Sequence, residues 1–311
     1  MDSSTDTLIK LAQDTGSRVI YRFSPTLSML SESSKASFKG STSPLADYCA
    51  KCLTTLKKDT AAVMFDYSAF ALYGIQGLLA LSFSSKMAVD LGYYVIIDGC
   101  FGGEGVVNMC RSFFDADTDT SGLSIYADAV TISPYCAAED IKALARFCRE
   151  DDAAIFICAK DKKTNDPDSI EEVKLDSGMK LCEAAADDAG AFGELYVGEF
   201  GYSVLGFVTV PSESGPSMRS LDRWGLALVK ATVADIEDDR TYAFFYPGEG
   251  EGEFIAVTDR DIAETLGQIN GRFNVDDAAG LFREIVGKVE AKRGAAQVIS
   301  NSSRGAGLSN K

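Results

Sequence analysis

Short runs of β-branched, aromatic and other apolar residues recur along the chain, separated by longer segments in which apolar residues repeat at helical spacing. Eight of these runs predict strands: Arg18–Phe23, Ala61–Phe65, Gly92–Asp98, Ala127–Ile132, Ala154–Lys160, Val204–Val210, Tyr242–Tyr246 and Ala296–Ser300. The runs lack strict alternation of polar and apolar positions, which is typical of parallel strands that are buried on both faces. Helical patterns such as Ala138–Arg149 and Asp261–Ile269 lie between them.

Eight strands that alternate with helices predict an α/β protein, a single (β/α)8 or TIM barrel, and 311 residues suit that architecture. The pattern alone leaves an open, doubly wound parallel sheet as the alternative. Two stretches have the composition of solvated loops, Ser31–Ser43 and Pro211–Ser220, and both are too short to separate domains. We therefore expect residues 1–311 to form one domain.

The charge balance narrows the classes of partner. The chain has 30 basic and 46 acidic residues, hence a net charge of −16, which repels nucleic acid and anionic membrane surfaces. No run approaches the roughly 20 apolar residues of a membrane span. The eight cysteines lie mostly in apolar runs without a signal-like segment before them, so a reducing, cytoplasmic location is expected.

The chain contains no histidine, which excludes catalytic histidine and histidine-ligated metal. Cys49 and Cys52 have the spacing of a zinc or redox pair, but no second pair accompanies them. We therefore predict neither a metal nor a cofactor. Any general base has to be a carboxylate, lysine, tyrosine or cysteine.

Six segments carry a resemblance to a known family. They are Ser68–Gly74 (SAFALYG), Tyr94–Gly105 (YVIIDGCFGGEG), Asp128–Tyr135 (DAVTISPY), Val197–Ser203 (VGEFGYS), Pro247–Gly250 (PGEG) and Asn301–Gly305 (NSSRG). In this order and spacing they resemble motifs of the bacterial-type orotidine 5′-monophosphate decarboxylases. The resemblance spans nearly the whole chain and implies the barrel fold, which displaces the doubly wound alternative.

The resemblance also implies where the chemistry would lie. In that family an alternating Lys-Asp-Lys-Asp array stabilises and protonates the carbanion left by decarboxylation. Asp98 matches the first aspartate after the third strand, whereas Cys100 and Gly103 stand at the next lysine and aspartate positions. A thiol is mostly neutral at pH 7, and its ionised form is negative, so Cys100 cannot replace an ammonium group.

Other charged positions of the family are changed as well. The resemblance places Phe65 at the earlier lysine of the array and Ser24 at the aspartate that contacts the ribose. Lys160, at the end of the fifth predicted strand, matches a family lysine. Asp98 and Lys160 are therefore the predicted catalytic remnants.

The phosphate site is matched in part. The resemblance assigns Arg304 and Ser303 of NSSRG, at the amino end of a late helix, and Gly250 of a glycine-rich loop to the 5′-phosphate. That loop carries Glu249, Glu251 and Glu253, whose carboxylates oppose an anionic ligand. Nucleotide monophosphate binding is therefore expected to be weak.

The altered charged positions lead to a functional prediction. We expect a non-catalytic barrel, a pseudoenzyme with a structural or scaffolding role, as a homodimer or as a subunit of a larger assembly, including a cytoskeletal or flagellar one. One alternative is an enzyme with a changed substrate that uses Asp98, Lys160 and Arg304. The other is an active orotidine monophosphate decarboxylase, a carboxy-lyase in pyrimidine biosynthesis, with lysines reaching in from positions such as Lys160.

Overall fold

The computed structural model describes residues 3–31, 43–114, 122–161, 169–238 and 253–307, with the backbone alone from residue 295 onward. Eight parallel strands pair in sequence order and close into a barrel, so the predicted (β/α)8 fold is confirmed. The strands are β1 (Val19–Phe23), β2 (Ala62–Asp66), β3 (Tyr94–Phe101), β4 (Ala129–Ile132), β5 (Ala154–Cys158), β6 (Leu205–Thr209), β7 (Ala227–Lys230) and β8 (Glu253–Thr258).

Eleven α-helices lie in the described part of the chain. They are α1 (Ser4–Thr15), α2 (Pro44–Leu56), α3 (Tyr67–Ala71), α4 (Gly74–Asp90), α5 (Val106–Phe114), α6 (Ala138–Glu150), α7 (Leu181–Gly193), α8 (Gly215–Leu221), α9 (Val233–Glu237), α10 (Asp259–Thr265) and α11 (Val275–Gly307). Two 3-10 turns, Ile170–Glu172 and Glu194–Tyr196, flank α7. None of these helices combines the length and hydropathy that a membrane crossing requires.

Six of the eight predicted strands are confirmed, and the eighth is wrong. Tyr242–Tyr246 lies outside the described residues, and β7 is the earlier run Ala227–Lys230. Ala296–Ser300 belongs to α11, and β8 begins at Glu253 within the segment predicted as a phosphate loop. The four-residue run ALVK consists largely of strong helix formers, and local propensity therefore concealed a strand that tertiary packing creates.

Two apolar layers hold the barrel together. Residues at every second strand position, such as Ile20, Met64 and Phe156, point inward and fill the barrel. Their neighbours, such as Phe23 and Phe65, point outward and pack under the surrounding helices. The two faces of each strand are thus both buried, as the absence of alternation in the sequence indicated.

Helix α1 closes the amino end of the barrel. Its residues Leu8 and Ile9 are fully buried and belong to the interior cluster. Ser3 and Asp6 form a capping box at its start, and Asp6 also accepts hydrogen bonds from the backbone N–H groups of Glu199 and Phe200, both at 2.9 Å. With this end closed, the carboxyl ends of the strands form the accessible mouth, where barrel enzymes place their sites.

Candidate functional site

Charged side chains occupy the inward positions at the mouth of the barrel. Arg22 on β1 lies two residues after the inward-facing Ile20, and Lys230 on β7 lies two residues after Leu228. Asp66 ends β2, and Asp98 lies on β3, where the strand register pairs these two aspartates directly. Because a strand has a period of two, the same alternation that packs the interior brings these four side chains together.

Asp98 is the centre of this group. It is 5% exposed, and its carboxylate accepts hydrogen bonds from Arg22 Nε at 2.9 Å and Thr131 Oγ1 at 2.9 Å. Lys230 Nζ lies 3.0 Å from Asp98 Oδ2. Burial alone would raise the pKa of Asp98, but the ammonium of Lys230 and the guanidinium of Arg22 hold that pKa below its usual value.

Arg22 joins Asp98 to Asp66. Its Nη2 lies 2.9 Å from Asp66 Oδ2, and the pKa of Arg22 is raised because Asp98 and Asp66 outweigh the burial that would lower it. Ser24 donates its hydroxyl to the same Asp66 oxygen at 2.9 Å. The other Asp66 oxygen caps α3 by accepting from the N–H of Ser68 at 3.1 Å.

Lys230 extends the group to a fifth member, because its ammonium also pairs with Asp161, just beyond β5. The pKa of Lys230 is raised, since the charge of Asp98 outweighs the burial that would lower it. The result is an alternating chain of acids and bases, hereafter the mouth array, that consists of Asp66, Arg22, Asp98, Lys230 and Asp161.

A bulge in β3 places Cys100 at this mouth. The register between β3 and β4 shifts between Ile97 and Phe101. Within the bulge the N–H groups of Gly99 and Cys100 both donate to Thr131 Oγ1, at 3.0 and 2.9 Å. Cys100 adopts a φ of +46°, a left-handed conformation that is uncommon outside glycine, and its side chain is exposed. Bulges of this kind re-aim side chains beside functional sites.

Beside Cys100 lies a cavity of about 160 Å³. Its walls include the thiols of Cys100 and Cys158, the carboxylates of Asp161 and Glu171, and the ring of Tyr135. Glu171 Oε2 is buried and has no hydrogen-bond partner within the described part of the chain. Among the described residues, no group of three or more cysteines and carboxylates is arranged to hold a metal ion.

Lys160 is not brought to Asp98. It is 2% exposed, and its ammonium pairs with Glu172, which also binds Lys180 at 2.8 Å. These two lysines lower the pKa of Glu172. The described partner lysine of Asp98 is Lys230, so the two predicted catalytic remnants, Asp98 and Lys160, have different ion-pair partners.

The structure also places the other predicted positions of the array. Phe65 points outward and stacks on Phe23 with ring centroids 4.9 Å apart, so the inward residue at the end of β2 is Asp66. Ser24 does lie at the mouth, in contact with Asp66. Gly103, with a φ of +80°, lies in the loop between β3 and α5.

Of the predicted phosphate residues, Ser303 and Arg304 lie far along helix α11 rather than at its start. Glu290 of α11 accepts a hydrogen bond from the N–H of Arg18 at the amino end of β1, and α11 continues from there to Gly307. The backbone at Ser303 and Arg304 therefore belongs to the carboxyl end of a helix, where carbonyl groups rather than N–H groups are unpaired. The predicted helix amino end at this segment is wrong. Gly250 lies outside the described residues.

A different arginine follows the last strand. Arg260 lies at the start of α10, directly after β8, and its Nε lies 3.5 Å from Glu264 one turn along the helix. The sequence analysis missed Arg260 because β8 was placed too late in the chain. It missed Lys230 because β7 was misplaced as well.

Arg22 and Asp66 carried a signal that the sequence analysis did not use. Arg22 lies within a predicted strand, and Asp66 follows one directly. A charged residue in a strand buried on both faces requires a partner. Two such residues on neighbouring strands therefore indicate a pair.

Comparisons with known proteins give matches only at the level of structure. No family model matches the chain, and no curated protein matches its sequence. A Streptomyces avermitilis protein described as an orotidine 5′-phosphate decarboxylase superimposes with a TM-score of 0.72 at 16% identity, over 94% of this chain and 96% of the other.

Two parasite proteins match as well. Leishmania donovani OMP decarboxylase gives a TM-score of 0.65 at 19% identity, over 92% of this chain and 98% of the other. Plasmodium berghei orotidine 5′-monophosphate decarboxylase gives 0.66 at 12% identity, over 93% and 98%. The barrel described here therefore has the fold of the orotidine 5′-monophosphate decarboxylases.

Proposed function

We propose that this chain is a non-catalytic barrel of the orotidine monophosphate decarboxylase fold that serves a structural role, as a homodimer or as a subunit of a larger assembly. The observation that carries the proposal is that Arg22 and Lys230, the two cations of the mouth array, are both bound to carboxylates of the chain itself. A reacting anion would have to displace a buried internal ion pair.

The charge of the array supports the same conclusion. Three carboxylates and two cations leave the mouth array itself with one net negative charge. Orotidine monophosphate carries a carboxylate and a phosphate, and one unpaired negative charge at about 6 Å opposes another by roughly 3 kcal/mol at an effective dielectric near 20. Such a mouth disfavours the substrate before any chemistry begins.

The side-chain chemistry of Cys100 also supports the proposal. It occupies the position that the resemblance gives to the lysine beside the reacting carbon, and a thiol supplies no positive charge to a developing carbanion. A hydrogen bond from the N–H of Cys100 to Thr131 fixes the backbone of the β3 bulge. The side-chain position of the family lysine is therefore kept, but it carries a thiol instead of an ammonium group.

An apolar rim around the mouth supports self-association. Leu72 and Ile75, which follow β2, are 73% and 77% exposed, and Tyr135 and Ile170, which follow β4 and β5, are more than half exposed. Large apolar side chains exposed together on a soluble surface are typical of an interaction site. This rim, defined as Leu72, Ile75, Tyr135 and Ile170, is the proposed contact surface.

The test combines binding and turnover. Purified protein is titrated calorimetrically with uridine monophosphate and assayed for release of labelled carbon dioxide from orotidine monophosphate, beside an active decarboxylase at equal concentration. The proposal predicts no binding in the micromolar range and no release above buffer. Turnover that scales with enzyme concentration would contradict it.

One observation favours a second candidate, an enzyme of the carboxy-lyase type or one with a changed substrate. The ammonium group of Lys230 lies between Asp98 and Asp161. A lysine on β7 thus produces an alternating order of cations and anions, although the lysine position on β3 is a cysteine. Arg260, at the start of a late helix after β8, is a guanidinium available to a phosphate. In this case Lys230 rather than Cys100 stabilises the developing negative charge.

The two candidates are separated by matched variants. If the second holds, Lys230→Met abolishes turnover and Arg260→Gln raises KM, whereas Lys288→Met, which removes an exposed lysine on α11, changes neither. If turnover persists unchanged in Lys230→Met, the second candidate is ruled out, because it requires the ammonium of Lys230.

A further inference from the structure

The cavity beside Cys100 contains two thiols that the proposed function does not use. Cys100 is exposed on the β3 bulge, whereas Cys158, the last residue of β5, is 3% exposed and reaches the same cavity from the barrel interior. Six further free cysteines are described, and five of these are buried. Cys100 is therefore the cysteine that a small molecule in this cavity meets first.

The surroundings of Cys100 favour its ionised form. Cys158 lines the same cavity as Cys100, and the ammonium of Lys230 acts on the Cys100 sulfur. The interaction with Cys158 lowers the pKa of Cys100, although burial and the nearby Asp161 act in the opposite direction. The pKa of Cys158 rises correspondingly, so that the proton of the pair stays on the buried thiol.

The backbone also exposes this sulfur. The φ of +46° at Cys100 is held by hydrogen bonds from two successive N–H groups to Thr131 Oγ1, which itself donates to Asp98 at 2.9 Å. A strained, fixed backbone that presents one side chain to a cavity is a feature of functional sites. Here that side chain is a nucleophile.

We propose that Cys100 is a reactive thiolate site for small hydroperoxides, positioned by the β3 bulge, with the neighbouring Cys158 as the hydrogen-bond donor that stabilises it. The inference is independent of whether the barrel decarboxylates any substrate.

The step is a two-electron oxidation of sulfur. The Cys100 thiolate attacks one oxygen of hydrogen peroxide, an S–O bond forms, and the O–O bond breaks. The sulfur becomes a sulfenic acid, and the departing hydroxide takes a proton from solvent to give water. Hydrogen peroxide is small enough for a cavity of about 160 Å³.

The first experiment needs no variant. The native protein is exposed briefly to limiting iodoacetamide across a pH series, and mass spectrometry measures the rate of alkylation at each cysteine. Cys136 is the internal control, because it is half-buried near the same mouth and burial raises its pKa. We expect Cys100 to react at least roughly ten-fold faster than Cys136 at pH 7, with a lower midpoint pH. Equal rates and equal midpoints would overturn the proposal.

The second experiment tests the role of Cys158. Cys158→Ala is expected to raise the midpoint pH of Cys100 alkylation, whereas Cys148→Ala, which removes a fully buried thiol outside the cavity, leaves it unchanged. An unchanged midpoint in a folded Cys158→Ala protein overturns the assigned donor. If circular dichroism shows that Cys158→Ala does not fold, the pH dependence of Cys100 alkylation in the native protein tests the proposal instead.

The third experiment tests the oxidant. After treatment with hydrogen peroxide, mass spectrometry counts sulfenic acid at Cys100, trapped with dimedone, together with any disulfide from Cys100 to Cys158. The disulfide forms with loss of water when the sulfenic acid at Cys100 meets the thiol of Cys158, and we expect both products to form before any product at Cys136. Oxidation of Cys136 in preference to Cys100 would refute the proposal.

Discussion

Lys230 and Asp98 form a buried ion pair across the barrel mouth, with Nζ 3.0 Å from Oδ2. β7 and β3 lie four strands apart in the closed sheet, so the pair spans the barrel from side to side. Arg22, which lies on β1, pairs with the same carboxylate, with its Nη2 2.7 Å from Asp98 Oδ2. Asp98 therefore links the carboxyl ends of β1, β3 and β7, which are not neighbours in the sheet.

Replacing this aspartate is expected to be costly. In Asp98→Asn Arg22 and Lys230 lose the buried carboxylate they share, and because each keeps one other carboxylate, Asp66 or Asp161, the expected cost is roughly 1.5–3 kcal/mol of the free energy of unfolding. Urea denaturation at pH 7 measures the loss. Since the pKa of Asp98 is lowered by folding, its contribution is present at neutral pH and disappears as the pH falls below about 4, where both proteins should converge.

Asp161→Asn is the matched control, because the side chain of Asp161 binds the same lysine but is 41% exposed. Its loss is expected to cost about 1 kcal/mol or less. Equal destabilisation by the two substitutions would contradict the central position of Asp98.

Glu253 gives a pH-dependent prediction at the opposite end of the barrel. Burial raises its pKa to about 8, the Nε of Arg219 lies 4.0 Å from its Oε1, and its Oε2 has no hydrogen-bond partner among the described residues. A carboxyl group whose pKa is raised by folding stabilises the protein when protonated, and this stability is lost as the pH rises through the folded pKa. The free energy of unfolding should therefore fall between about pH 4.5, the ordinary pKa of a glutamate, and about pH 8, and level off above that.

In Glu253→Gln this decline should be reduced, because the amide does not ionise. The difference in unfolding free energy between variant and native protein is expected to grow by roughly 1–2 kcal/mol from pH 6 to 9, as measured by urea midpoints. Glu264→Gln on the exposed face of α10 should leave the pH profile unchanged. A native profile that is flat over this range would contradict the raised pKa of Glu253.

The sequence predicted the fold well and the mouth poorly, for physical reasons. β1 to β6 are runs of β-branched and aromatic residues whose burial on both faces is visible as missing alternation. β7 is four residues long and rich in helix formers, and its strand conformation depends on pairing with β6 and β8. Because the seventh strand was predicted too far along the sequence, Lys230 was not recognised as an inward-facing residue of β7.

The resemblance drew attention to Asp98 and Cys100 because both belong to a motif at the end of β3. At Arg304 it implied the amino end of a helix where the structure has the carboxyl end, since short glycine- and serine-rich matches near the end of a chain are weak signals. The partners of Asp98 come from β1, β4 and β7, and only the closed barrel brings them together.

The helix that closes the amino end offers a test of packing. A Cβ added at Gly198 would lie 2.3 Å from both Asp6 Oδ2 and Ser3 Oγ, which form the capping box of α1. Gly198→Ala is therefore expected to loosen α1 and raise the rate of amide hydrogen exchange along it. Exchange in the strands should change less than exchange in α1.

Gly280 is the control for this substitution. It lies in α11, and a Cβ there meets no atom within 4 Å. Gly280→Ala should stabilise the protein by roughly 0.5–1 kcal/mol, because alanine loses less backbone entropy than glycine in a helix. If exchange in α1 is unchanged in Gly198→Ala, the loop at Gly198 can move aside without disturbing the helix.

The apolar rim predicts how the protein associates. Ile75 is 77% exposed in the first turn of α4, at the mouth end, whereas Phe83 is 52% exposed further along the same helix, towards the amino end of the barrel. If two mouths face each other, Ile75→Asp places a carboxylate in the contact and should shift the sedimentation distribution at micromolar concentration from dimer to monomer. Phe83→Asp should not, because its side chain lies outside the rim. A native protein that sediments as a monomer, or a dimer that only Phe83→Asp disrupts, would place the contact surface elsewhere and remove the rim as the support for a structural role.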